Sequence, residues 1–163
     1  DKERYEHKYE YCDLLITGSG PSGLASAYAA AKNGARVILA EDKPRFGGSL
    51  LTSDVNIGNQ TGIEWSEKII AELKSMPNVT VKNRSQVFGY YDHNMLVMSE
   101  RISDHLSKTQ KHLPKQRLWY IRANQVLISS GSIERPLVFG NNDTPGVMLS
   151  SAAKEYMLSL IHI

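Results

Sequence analysis

Residues 12–42 read CDLLITGSGPSGLASAYAAAKNGARVILAED, and the pattern of this segment indicates the fold class. The apolar run 12–17 predicts a buried parallel strand, because strands covered on both faces carry near-continuous apolar side chains. The glycine cluster 18–23 and the alanine-rich segment after it predict a helix that ends at Gly34. Residues 36–40 predict a second buried strand. A strand, a helix and a strand in this order predict an α/β fold with a parallel, Rossmann-like sheet.

The rest of the chain predicts further strands, a β-meander and two more helices. We assign a helix to 64–76, strands to 79–82, 86–91, 95–100, 119–122 and 125–129, and a helix to 150–158. The two middle strands form a hairpin that turns at 92–94. Residues 43–62 are irregular, and 101–117 form a basic, exposed loop. Residues 1–10 show no clear periodicity, which predicts a linker or a segment that lies on a neighbour.

The composition is that of an ordinary globular protein and excludes several function classes. The chain has 163 residues, the length of one domain, with 41% hydrophobic and 22% charged residues. Its net charge of +2 favours neither nucleic acid nor an anionic membrane as a partner. No apolar run reaches the roughly 18 residues of a membrane span, and the polar start is unlike a signal peptide. Cys12 is the only cysteine and the five histidines lack metal-ligand spacing, so we expect no disulfide, no metal site and a cytoplasmic location.

Each glycine of the segment GSGPSG has its own task in a dinucleotide site. Gly18 permits a tight turn, Gly20 lets the backbone approach a pyrophosphate, and Gly23 lets helix and strand pack closely. The N–H groups of Ser22 and Gly23 are expected to face the phosphates at the helix N-terminus, whose partial positive charge favours anions. Because the pattern lies between a strand and a helix, it predicts a dinucleotide site. A glycine turn without a ligand is the alternative.

An acid at the end of the second strand completes the pattern. Glu41 is expected to accept hydrogen bonds from ribose hydroxyls, and its charge would repel a 2′-phosphate. This position therefore predicts NAD or FAD as the ligand rather than NADP.

Residues beyond this acid are weaker candidates, and each has a second interpretation. The segment Gly47-Gly48-Ser49 forms either further backbone donors beside the pyrophosphate or a plain loop turn. Lys43 is either a ligand contact or a solvated surface charge. Val87 lies either near the adenine ring or only in the core.

The motifs resemble a known flavoprotein superfamily. GSGPSG, the strand-end Glu41, Gly47-Gly48 and SSGS at 129–132 are similar to the two-dinucleotide-binding-domain flavoproteins. More specifically, VFGYYDHN at 87–94, QRLWYIRANQVLISSG at 116–131 and GSIERPLVFGNNDTPGVMLSSA at 131–152 resemble the alpha subunit of heterotetrameric sarcosine oxidase. The resemblance extends from residue 11 to residue 157.

This resemblance implies an activity that is divided among subunits. The family oxidises sarcosine with water and oxygen to glycine, formaldehyde and hydrogen peroxide. It implies beta, gamma and delta subunits as partners, FAD on the beta subunit, FMN between alpha and beta, and NAD on alpha, where FAD is the alternative. The implied NAD contacts are Ser22, Glu41, Asp42, Lys43, Ser49 and Val87, to which the glycine patterns add Gly18, Gly20, Gly23 and Gly48. No catalytic residue for sarcosine oxidation is expected in this stretch.

The sequence departs from the family in length. The family alpha subunit is several times longer, so we expect a linker at 1–10 and an incomplete FAD/NAD(P)-binding Rossmann-like domain at 11–157. The residues LSLIHI at 158–163 match one reading frame of a sequencing adapter, which predicts an artefactual tail. We expect the chain alone to fold poorly and to be inactive. Two other functions stay open, namely the alpha-type subunit of a proline or opine dehydrogenase and a nucleotide-stabilised, non-catalytic scaffold.

Overall fold

The computed structural model describes residues 4–107 and 112–160, and the side chains only as far as residue 157. Its strands are β1 Tyr5–Thr17, β2 Val37–Ala40, β3 Asn56–Ile57, β4 Gln60–Thr61, β5 Val79–Lys82, β6 Ser85–Tyr91, β7 Met95–Arg101 and β8 Gln116–Ile128. Its helices are α1 Pro21–Lys32, α2 Gly62–Ser75 and α3 Ser150–Leu160, with 3₁₀ turns at Gly48–Thr52 and Asp92–Asn94.

Six of the strands form one sheet in the order β5-β2-β1-β8-β7-β6. The four strands from β5 to β8 in this order run parallel to one another. The strands β8, β7 and β6 form an antiparallel meander. The α/β, Rossmann-like fold with a β-meander is therefore confirmed. β1 lies between β2 and β8, so the chain leaves β1 towards one side of the sheet and later returns on its other side.

Two apolar clusters lie on opposite faces of the parallel strands. Ile16 and Leu39 pack with the buried residues of α1 and α2. Their sequence neighbours Leu15 and Ile38 pack with Trp119 and other buried residues of β7 and β8. Since successive strand residues point to opposite faces, helices cover one face and the meander covers the other.

Local sequence explains where the two sheet-covering helices begin. α1 starts with Pro21, whose fixed backbone angle and missing N–H suit the first helical position. α2 starts with a capping box, in which the Glu64 N–H donates to Thr61 Oγ1 and the Thr61 N–H donates to Glu64 Oε2. Both helices then present apolar residues to the same cluster.

A half-buried charge network ties β5 to the meander. Glu100 Oε2 accepts a 2.6 Å hydrogen bond from Trp119 Nε1 and lies 3.4 Å from Arg117 Nη1 and 3.8 Å from Lys82 Nζ. The Lys82 ammonium lies 4.0 Å from the centre of the Trp119 ring. Burial lowers the pKa of Lys82, while the charge of Glu100 opposes this change. The Glu100 carboxylate and the Trp119 ring thus both favour the charged form of this half-buried lysine, whereas burial disfavours it.

The expected linker at 1–10 is corrected, because β1 already begins at Tyr5. Residues 5–12 pair with β8 from Gln116 to Ala123. Along this part of β1, Tyr5, His7 and Tyr9 alternate with charged residues, and Tyr9 stacks on Tyr120 at 5.2 Å. This alternation does not form a clear apolar periodicity in the sequence, because neither face of the strand is apolar throughout.

Two smaller predictions are also corrected. The two strands predicted at 119–122 and 125–129 are one strand, β8, because its pairing with β1 continues on both sides of Asn124. β7 and β8 extend into the predicted loop 101–117, of which residues 108–111 lie outside the described part. The hairpin turn at 92–94 is confirmed.

The third helix is capped by a residue distant in sequence. α3 follows an exposed segment that contains Glu134. The Glu134 carboxylate accepts hydrogen bonds from the N–H groups of Ser150 and Ser151 at 3.3 and 2.8 Å, and from the Ser150 hydroxyl at 2.8 Å. The predicted helix at 150–158 is confirmed and continues to Leu160. The expected tail at 158–163 overlaps the end of α3, and its last three residues lie outside the described part.

We predict that Glu134 titrates far below an ordinary glutamate. Hydrogen bonds from Ser151 and Ser150 lower its pKa from 4.5 to about 2. Because the folded-state pKa is depressed, the contribution of this cap is fully present above pH 4.5 and is lost as the pH falls towards 2. Carboxyl chemical shifts from NMR should give a midpoint near 2 in the folded chain and near 4.5 in urea. Equal midpoints in both states would show that the cap does not form.

Candidate functional site

An open cleft of about 1120 Å³ lies at the carboxyl ends of β1, β2 and β8. Its walls come from the glycine turn 17–22, the residues 41–43 that follow β2, the loop at 48–49, the start of β6 at 85–87 and the segment 129–133. The sheet order changes direction at β1, and open parallel sheets bind their ligands at such a switch point.

The structure brings nearly all the predicted site residues to this cleft. Those that line it are Gly18, Gly20, Ser22, Glu41, Asp42, Lys43, Gly48, Ser49 and Val87. Gly23 is a buried residue of α1 and does not line the cleft. Its inclusion among the ligand contacts is therefore not supported by the geometry, whereas its predicted packing task is.

Two of the three motif glycines are required by the fold itself. Gly18 has a φ of 99°, and a Cβ there would collide with the carbonyl oxygen of Ser129. A Cβ on Gly23 would collide with the carbonyl oxygen of Gly18, at the end of β1. These contacts hold α1 and β8 close to the turn that follows β1.

Gly20 differs from the other two glycines because the fold does not require it. Its φ of −66° and ψ of −179° suit any residue, and a Cβ there would meet no atom within 4 Å. Since Gly20 lines the cleft, that Cβ would project into space which the site keeps open. This is the fit expected of a backbone that a pyrophosphate must approach closely.

The N-terminus of α1 supplies the donors for an anion. Its first turn contains no acidic residue, and no side chain caps it. The first N–H groups of a helix lack internal partners and carry partial positive charge, and Ser22 places such a group at the cleft. Lys43 is the cation among the described residues that line the cleft. An anionic group at this position would therefore meet backbone dipoles and one ammonium.

Glu41 is buried at the cleft wall, where its carboxylate faces protein donors. The N–H and the hydroxyl of Ser19 donate to Oε2 at 2.9 and 2.6 Å, and the Lys43 N–H donates to Oε1 at 3.0 Å. Glu41 is only 6% exposed. The sequence predicts an acid at this position, but it does not predict the hydrogen bonds between Ser19 and Glu41.

The loop that contains Gly47 and Gly48 closes over the glycine turn. The Gly47 N–H is shared between the carbonyl oxygen of Ser19 at 3.1 Å and its hydroxyl oxygen at 3.3 Å. A Cβ on Gly48, whose φ is 54°, would lie 2.8 Å from the Cα of Gly20. The loop is therefore more than a surface turn, while its donation to a ligand stays a prediction.

Val87 is not only a core residue, and its position near an adenine ring stays a prediction. Val87 lines the cleft and also packs against the core cluster between the sheet and the meander. Ser26, Gln86 and the residues 129–133 line the cleft as well, although the sequence patterns did not indicate them as site residues. Their position at strand and helix ends around the glycine turn was the available signal, since neighbouring parallel strands end at the same edge of the sheet.

The described part of the chain offers neither a metal-binding cluster nor a membrane-spanning helix. No group of three or more His, Cys, Asp or Glu side chains there could hold a metal ion. Within the same residues, no helix has the length and apolar character to cross a membrane.

Comparisons with known proteins give relatives for this architecture. Residues 13–86 match the family model of FAD dependent oxidoreductases. The sarcosine oxidase alpha subunits of Rhizobium meliloti (strain 1021) and Corynebacterium sp. (strain P-1) are 44% and 39% identical over 96% of this chain. One of the opine oxidase subunits of Agrobacterium tumefaciens (strain Ach5) is 26% identical over 89% of it, and the match covers 29% of that protein. The chain spans only 16% of the length of the two sarcosine oxidase subunits.

A solved structure shows the same fold. The L-proline dehydrogenase of P. horikoshii has a TM-score of 0.65 to this chain at 22% identity, covering 89% of this chain and 27% of the dehydrogenase chain.

Proposed function

We propose that this chain is the NAD-holding part of an alpha-type subunit in a sarcosine-oxidising complex. The chain is homologous to sarcosine oxidase alpha subunits over 96% of its length. The observation that carries the proposal is the pairing of an open Gly20 with the strand-end acid Glu41 at one cleft. The first leaves room for a pyrophosphate, and the second offers a carboxylate to an adenosine ribose.

The chain's own residues bind and orient the nucleotide. Ser22 and the N-terminus of α1 would hold the pyrophosphate, with Lys43 and the loop at Gly48 and Ser49 beside it. Asp42 and Val87 would lie at the adenosine end. When bound, the dinucleotide would supply a ring that exchanges hydride. FAD fits the same adenosine-diphosphate cradle and is the alternative ligand, since the matched family model is of FAD-dependent enzymes.

The reaction is proposed for the complete complex. Oxidation of sarcosine to glycine, formaldehyde and hydrogen peroxide would take place at flavins, with FAD on the beta chain and FMN between alpha and beta. Gamma and delta chains would complete a heterotetramer in the cytoplasm. We propose no catalytic residue in this chain, and the chain alone should form no peroxide from sarcosine.

Two other functions have weaker support. Similarity to an opine oxidase subunit favours an alpha-type subunit that serves another amine or imino-acid substrate. The identity to that subunit is 26%, whereas the identity to a sarcosine oxidase alpha subunit is 44%. A nucleotide-stabilised scaffold without a redox role needs the same cleft. The nucleotide site is common to all three functions, so its specificity is the first property to test.

We predict that the protein binds NAD at least about 10-fold more tightly than NADP, because a 2′-phosphate would lie beside the Glu41 carboxylate. Titration calorimetry with both nucleotides measures the ratio, and Glu41→Gln should narrow it because the amide has the same size without the charge. Glu41→Arg is a poorer test, since the N–H groups of Ser19 and Lys43 would both lose their acceptor, whereas the glutamine amide oxygen keeps an acceptor for one of them. Equal affinity for NAD and NADP in the wild type would contradict the assignment of Glu41.

A further inference from the structure

Ser19 is a fully buried hydroxyl in the middle of the glycine turn. Its Oγ lies 2.6 Å from Glu41 Oε2 and 3.3 Å from the N–H of Gly47. The hydroxyl therefore connects the glycine turn, the strand-end acid and the Gly47-Gly48 loop.

The direction of these two hydrogen bonds follows from their chemistry. The Gly47 N–H can only donate, so Ser19 Oγ accepts from it. An ionised carboxylate can only accept, so the Ser19 proton is directed to Glu41 Oε2. The Ser19 N–H donates to the same oxygen at 2.9 Å. The rotamer of Glu41 is thus fixed from one side by a single residue.

These bonds limit what Glu41 can offer to a ligand. A carboxylate has about four lone-pair positions, two on each oxygen. Oε2 is occupied by the N–H and the hydroxyl of Ser19, and Oε1 already receives the Lys43 N–H. One acceptor position on Oε1 remains for a ribose, which presents two adjacent hydroxyl groups.

We propose that Ser19 is a positioning residue that restricts Glu41 to one ribose hydroxyl of an adenine nucleotide. This inference rests on the proposed nucleotide site. The strand-end acid of this fold pairs with the ribose 2′-hydroxyl, so the remaining position on Oε1 is assigned to that group. The 3′-hydroxyl then makes no hydrogen bond to Glu41. Without the Ser19 hydroxyl, Oε2 gains an open position, and Glu41 can accept from both ribose hydroxyls.

The test uses the complete alpha-type subunit, because the chain alone is expected to fold poorly. It compares ADP, 2′-deoxy-ADP and 3′-deoxy-ADP on the wild type and on Ser19→Ala by titration calorimetry. In the wild type, 2′-deoxy-ADP should bind about 10- to 100-fold more weakly than ADP, and 3′-deoxy-ADP within about 3-fold of it. To Ser19→Ala, 3′-deoxy-ADP should also bind about 10-fold more weakly than ADP. Ser75→Ala removes an exposed hydroxyl on α2 and should reproduce the wild-type pattern.

The outcomes separate this inference from the proposed function. If the wild type discriminates equally against both deoxynucleotides, Glu41 is not restricted and the inference is wrong, while the nucleotide site stands. If Ser19→Ala weakens all three ligands by the same factor, Ser19 is only structural. The wild-type comparison requires no variant to fold. If ADP and both analogues fail to bind the wild type, the proposed function and this inference are both wrong.

Discussion

Gly20→Val is expected to abolish nucleotide binding and to leave the fold intact. The valine side chain meets no protein atom near its Cβ and occupies the open space where a pyrophosphate approaches the backbone. Loss of that approach, together with the phosphate hydrogen bonds, should weaken NAD at least about 100-fold. Calorimetric titration measures the affinity, and far-ultraviolet circular dichroism of the same sample verifies the fold.

Gly140→Val is the matched control for this variant. Gly140 also has open space at its Cβ and a backbone without positive φ, and it lies outside the cleft. The same chemical change there should leave the affinity for NAD unaltered. Retention of wild-type affinity by Gly20→Val would show that the cleft does not hold a pyrophosphate at this turn.

Gly23→Ala is expected to lower the free energy of unfolding by about 3 kcal/mol, the upper end of the usual cost of overpacking, because the contact is very close. The new Cβ would collide with the backbone oxygen of Gly18, so α1 must move away from the end of β1. Helix propensity alone predicts the opposite sign, since alanine stabilises a helix interior by about 1 kcal/mol relative to glycine. The sign of the change therefore decides whether the close contact exists.

Urea denaturation of the complete subunit, followed by circular dichroism, measures this effect, because the chain alone is expected to fold poorly. Ala25→Gly, at an exposed position of the same helix, gives the propensity contribution by itself and should cost about 1 kcal/mol. A higher urea midpoint for Gly23→Ala than for the wild type would contradict the packing described for α1 and β1.

The parts of the fold that the sequence predicted are encoded locally. The glycine turn, the capped helix α2 and the apolar strands β2 and β5 each carry their signal within a few residues. The acid at the end of β2 was predictable for the same reason. In the site, this local pattern identified the turn and the loop after β2 together, because parallel strands end at one edge of the sheet.

The parts that the sequence did not predict depend on long-range contacts. The first half of β1 has exposed aromatic and charged residues, and only its pairing with β8 makes it a strand. Asn124 resembles a break between strands, but its side chain donates to Asp13 of β1 at 3.2 Å and β8 continues past it. The contact between Ser19 and Glu41 depends on side-chain direction across 22 residues, which no local pattern contains.

The identity of the nucleotide that the purified subunit retains tests the proposed NAD site most directly. Denaturing the protein and analysing the released small molecules by chromatography and mass spectrometry gives this identity without any assumption about the reaction. We predict NAD, released from the wild type and absent from Gly20→Val. Release of FAD instead would contradict the NAD assignment but would still support a dinucleotide site at the cleft. A wild-type protein that releases no adenine dinucleotide, and binds none when NAD or FAD is added, would contradict the proposed nucleotide site as a whole.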